Sequence, residues 1–137
     1  RVHDVFTLIA HTQEEEHQVK KTHLVATNGA GAYVAAARAQ LGKSIAATVI
    51  DTKGFRFQQL KSFRDPGFLP GAVKYGDLPA LLALAAPHPL YLAGENGKVP
   101  GLVSSVYGAI GKSAQVHSQP GDEALPAGLQ WIITGDR

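Results

Sequence analysis

Short, continuously apolar runs alternating with alanine- and leucine-rich stretches constrain this chain more than any other feature. The runs are His23–Ala26 (H-L-V-A), residues 45–50 (I-A-A-T-V-I), Leu90–Ala93 (L-Y-L-A) and residues 114–117, each bounded by turn-forming or polar residues. Runs that do not alternate apolar with polar belong to strands covered on both faces. The intervening segments carry helical spacing. Val2, Val5, Phe6 and Ile9 share one face over residues 2–13. Gly31–Leu41 is rich in alanine and stopped by Gly42. Asp77 offers an N-cap and Pro79 a first turn for a helix carrying Leu78, Leu81, Leu82 and Ala85, which Pro87 ends. Leu102, Val103, Val106, Tyr107 and Ile110 line a helix begun by Pro100 and capped by Gly111, and Trp131 anchors a weaker one over residues 125–133.

Strands separated by helices imply right-handed crossovers and parallel pairing. The order α-β-α-β-loop-α-β-α-β-α therefore predicts an α/β three-layer sandwich. Its sheet is small, mainly parallel and of about four strands, with helices on both faces. An outer strand at His23–Ala26 exposes a bare apolar edge. That edge is expected to pair with a second copy, making a homo-oligomer, or with a second half-domain.

With 137 residues the chain fits a single domain able to bury a core. Thirteen Lys+Arg against eleven Asp+Glu give a net charge of only +2, too small and scattered to predict a nucleic-acid or membrane partner. The absence of cysteine excludes disulfides, thiolate metal sites and a cysteine nucleophile. No apolar run is long enough for a membrane span, and the opening segment lacks the features of a secretion leader. His11 and His17 flank Glu14, Glu15 and Glu16, and His23 follows. Their spacing matches no metal motif, so neither metal nor cofactor is expected.

Residues 52–77 form a long segment without periodicity, of the kind that serves as a functional lid. Phe55-Arg56-Phe57, Phe63-Arg64 and Lys74-Tyr75 interleave aromatic with basic residues there. The expectation is a lid over a cleft in which Arg56 or Arg64 holds an anionic group. The alternative is that Phe55, Phe57, Phe63 and Phe68 only pin the loop to the core.

The strand at His23–Ala26, the turn Thr27-Asn28-Gly29-Ala30-Gly31 and the alanine-rich helix after it resemble the strand-elbow-helix of the α/β-hydrolase superfamily. Residues 68–94, with Ala86-Pro87-His88-Pro89 ending a helix before a strand, are similar to dienelactone-hydrolase and acetyl-xylan-esterase-like members. The resemblance spans nearly the whole chain and only the C-terminal half of such a fold. It implies hydrolysis of a small carboxylic ester or related acyl substrate. The family's elbow reads G-x-S-x-G, whereas Thr27-x-Gly29-x-Gly31 places glycine at the nucleophile. By the resemblance, His117 is the general base and Glu95 or Asp51 its acid partner. The amides of Gly29, Ala30 and Gly31 form an oxyanion or anion site. Thr27, the more distant Ser44, a water or a partner's serine would then attack. The alternative is a non-catalytic hydrolase-like module for binding or assembly. Either way, the segments after the strands, at Thr27, Asp51, Glu95 and His117, should converge at one sheet edge.

Overall fold

The computed structural model describes residues 1–14 and 19–135. Helices and strands follow in the predicted order: α1 (Val2–Thr12), β1 (His23–Ala26), α2 (Gly31–Leu41), β2 (Ala47–Asp51), α3 (Asp77–Ala83), β3 (Leu90–Ala93), α4 (Gly101–Ala109), β4 (Val116–Ser118) and α5 (Ala124–Thr134). The strands form one parallel sheet in the order β1-β2-β3-β4. Some boundaries move from their expected places. The β2 strand starts two residues later, a 3-10 turn at Ser113–Gln115 takes up the first two residues expected for β4, and α3 ends at Ala83, short of Pro87. Among the described residues no helix is long and apolar enough to cross a membrane.

Strand alternation sorts the core into two layers. Ile50, Leu90 and Leu92 pack beneath α2, α3 and α4 with Leu78, Leu82, Val103 and Tyr107. Ala47, Val49 and Tyr91 face the other way, towards Trp131 of α5. The α5 helix approaches closely because Gly128 has no side chain: a Cβ there would lie 2.8 Å from both Tyr91 and Val49. The α5 helix sits on β2 and β3, while α1 packs on α2, α2 on α3 and α3 on α4. One face thus carries four helices and the other a single one. Val25 of β1, in register with Val49 and on the α5 face, is left 41% exposed.

Two polar side chains are buried between the helices of the larger layer. Arg38, 1% exposed, donates through Nη1 to the carbonyl of Gly42 at 2.9 Å and so caps the end of α2. The Tyr107 hydroxyl donates to the carbonyl of His88 at 2.7 Å, and burial pushes its pKa up to about 12. An acid with a raised pKa holds its proton in the folded state where the unfolded chain has released it. Its contribution is therefore complete below the unfolded value of about 10 and is lost as pH rises towards 12. Urea unfolding at pH 9, 10 and 11 should show stability falling across this window by about 1.5 kcal/mol in all. Tyr107→Phe should remove most of that slope, leaving a smaller part from Tyr91, which burial also shifts upward.

Candidate functional site

Parallel strands deliver their C-terminal ends to one edge, and each end there is shaped by a specific backbone need. After β1 the chain reverses through Asn28 (φ 52°) and Gly29 (φ 82°), closed by the Ala30 N–H to the Thr27 carbonyl at 3.0 Å. Two consecutive positive φ values are what an Asn-Gly pair accommodates best. Gly31 then starts α2 directly against β2, since a Cβ there would lie 2.6 Å from the Asp51 carbonyl oxygen. Val34 is the first amide to bond a carbonyl of this helix, Ala30 at 3.0 Å, so the amides of Gly31, Ala32 and Tyr33 precede the helical ladder.

After β2 and β3 the chain builds a tight ionic knot. Glu95, whose side chain is 6% exposed, accepts Arg56 Nη1 on Oε1 at 2.9 Å and Nη2 on Oε2 at 2.5 Å. The Thr52 hydroxyl donates to Oε1 at 2.6 Å and accepts the Gly54 N–H at 3.2 Å. The hydrogen bonds that Arg56 donates to Glu95 hold its pKa above the ordinary value, against desolvation. Asp77, expected as an N-cap for α3, is instead that helix's first residue. Its carboxylate takes the N–H groups of Phe57 (2.7 Å), Gln58 (3.0 Å) and Leu78 (2.6 Å). Asp77 and Glu95 together tie the first part of the long loop to the sheet.

A cavity of about 410 Å³ lies between the β1–α2 turn and the loop, with Gly29, Gly31, Tyr33, Thr52, Lys53 and Phe55 among its lining residues. Tyr33 bridges its mouth, donating to the Pro66 carbonyl at 3.1 Å and receiving Arg1 Nη1 at 3.0 Å. The aromatic residues divide between the two expected roles. Phe55 and Phe57 pack edge-on at 5.1 Å against the core, whereas Phe63 is exposed with Arg64 over its ring at 5.5 Å. Arg56 is consumed by Glu95 and is not presented to an anion.

The expected catalytic set is not brought together. His117, expected as the last residue of its strand, is the middle residue of β4, opposite Tyr91. Its ring stacks on Tyr91 at 6.4 Å and meets Trp131 edge-on at 5.4 Å, so it belongs to the α5 layer. Its Nε2 is buried with no hydrogen-bond partner among the described residues. Glu95 binds on the loop side, to Thr52, which follows the alternation of Ile50. The sheet itself therefore separates His117 from Glu95. Asp51, the other expected acid, follows the alternation of Val49 onto the side of His117, but it accepts the Lys53 N–H at 3.0 Å and among the described residues makes no hydrogen bond to His117. Among the described residues no base bonds the Thr27 hydroxyl, and Ser44 lies before β2, at the opposite end of the sheet. Gly29 and Gly31 line the cleft, whereas Ala30 lines a separate cavity against α1 and its amide is spent on Thr27.

Among the described residues no three His, Cys, Asp or Glu side chains are grouped to hold a metal ion. His11 pairs with Glu14 at 3.3 Å on the surface, and Glu15, Glu16 and His17 lie outside the described residues. Comparison with family models, curated proteins and solved structures returned no match. Function is therefore argued from the chemistry of the cleft. Tyr33, Thr52 and Asp77 organise it and were not among the sequence candidates. A tyrosine opening an alanine-rich helix and a threonine directly after an apolar strand were the available signals.

Proposed function

We propose that this chain is a non-catalytic, hydrolase-like binding domain whose cleft takes a small carboxylate or acyl compound. The observation that carries this reading is the saturated carboxylate of Glu95, held by Arg56 and Thr52 on the opposite side of the sheet from His117. A carboxylate so engaged cannot orient an imidazole, and a triad works only when base and acid are in contact. What remains suited to a ligand is the row of α2 amides at Gly31–Tyr33 with the exposed ammonium of Lys53 beside them. Titration with acetate, propionate and butyrate should shift the amide resonances of Gly29, Gly31 and Ala32, and Lys53→Ala should weaken the effect. Unmoved resonances at millimolar ligand would reject the reading.

Ester hydrolysis is the second reading, favoured by one feature of the turn. A Cβ at Gly29 would meet nothing within 4 Å, so the place of a nucleophile is open although the side chain is missing. Under the binding reading, short p-nitrophenyl esters are hydrolysed no faster than in buffer, by this chain or by its His117→Ala variant. Hydrolysis that depends on His117 would reverse the preference. Gly29→Ser should fold at a cost of about 1 kcal/mol for its positive φ. It should remain unlabelled by a fluorophosphonate, because no base stands beside it. Labelling would place a working base at the turn.

A further inference from the structure

We propose that the outer edge of β1 is a strand acceptor: an extended segment of another polypeptide adds to the sheet there, beneath α1. Among the described residues β1 pairs with β2 alone. The Ala46 N–H bonds the Thr22 carbonyl, so Thr22, and by alternation Leu24 and Ala26, turn their backbone groups towards β2. The N–H and C=O of Val25 then point outward. Such an edge is a template for another strand.

The position of α1 decides what can enter. The α2 helix sits over β1 and β2, and α1 packs on the side of α2 away from α3. Neighbouring helices lie roughly 8–10 Å apart and neighbouring strands about 4.8 Å, so a step of one helix spans about two strands. The α1 helix therefore overhangs the space next to β1. A two-fold that paired β1 with itself would run the strands antiparallel and keep both copies' helices on the same faces. The α2 helix of the second copy would then fall where α1 already stands. The incoming segment must bring no helix on that face, which describes a bare strand rather than a second copy.

Its chemistry follows from the walls. A cavity of about 280 Å³ opens beneath α1 at the end of β1, where the apolar Val5, Ala30 and Val34 stand beside Arg1, Asp4 and Asn28, and takes a side chain with an apolar body and a polar tip, such as threonine. Val25 offers an apolar neighbour on the other face. Lys20 and Lys21, just before β1, are exposed and make no ion pair among the described residues, which favours a carboxylate flanking the segment.

The test is independent of the cleft. The probe is an acetylated peptide amide alternating valine and threonine, with a glutamate at each end. At a concentration ten times its dissociation constant it should slow hydrogen exchange of the Val25 amide on the order of tenfold. Light scattering should show a monomer without it. The same peptide N-methylated at alternate residues should do nothing. Val25→Pro removes only an outward N–H, which an edge strand tolerates, and should abolish binding while leaving exchange protection in β2 and β3 unchanged. Unslowed exchange would overturn the proposal, as would a dimer in which Val25 is protected without peptide.

Discussion

Gly94→Ala is expected to lower the melting temperature by on the order of 10–20 °C. Gly94 closes β3 at φ 81°, where an L side chain is strained. A Cβ there would also press into the backbone nitrogen of Lys53 and lie 2.9 Å from both Lys53 Cα and Asp51 Oδ1. Backbone cannot give way as the end of a flexible side chain can. The positive φ costs about 1–2 kcal/mol and the overlap about 1–3 kcal/mol more, against a total stability of about 5–15 kcal/mol. Gly111→Ala is the control: φ is 68° and a Cβ there meets nothing within 4 Å. It should lose only the conformational part. Equal losses for the two variants would show that the approach of the β2 and β3 ends is not as tight as described.

Removing the Glu95 carboxylate should have the other large effect. Glu95→Ala leaves Arg56 charged and largely buried and leaves the Thr52 hydroxyl only its longer bond to the Ala93 carbonyl, a loss of about 3 kcal/mol. Because Arg56 and Phe57 lead into the long loop, amide exchange should accelerate from Gly54 to Gln59 before it does in the sheet. Arg56→Met paired with Glu95→Leu should recover much of the loss, since the pair's strength lies in mutual compensation. Urea unfolding of the two single variants and the double variant measures the coupling. If Glu95→Ala proves as stable as the unaltered chain, the carboxylate is not committed to the loop. It then returns as a candidate acid, and the ester-hydrolase reading gains by it.

Much of this fold was legible in the residues. Val49-Ile50 and Leu90–Ala93 are apolar at every position, which only a strand buried on both faces tolerates, and the helices between them dictated parallel pairing. Asn28-Gly29 marked a reversal at the end of β1, and the structure places it there. These features are local or set by short connections, so the chain carries them without knowing its distant neighbours. The open edge at β1 belongs with them, because the first strand of such an order has a companion on one side only.

The site was not legible in the same way, because its meaning rests on which side of the sheet each residue faces and on partners far off in the chain. Glu95 reads as a strand-end carboxylate until Arg56, 39 residues earlier, closes on it. His117 reads as the last residue of its strand, free to reach over the sheet edge. In the structure β4 continues past it to Ser118, and alternation turns it under α5. Asp77 reads as a cap until the loop folds its amides onto the carboxylate. The sequence by itself determined the order of elements, the parallel sheet and the edge towards which its loops converge, since local periodicity and connection length govern all three. Only the tertiary structure decided which charges neutralise one another and which side of the sheet holds the histidine. Ion pairs between distant residues and the face a short strand turns to each layer of helices leave no periodic trace in a chain.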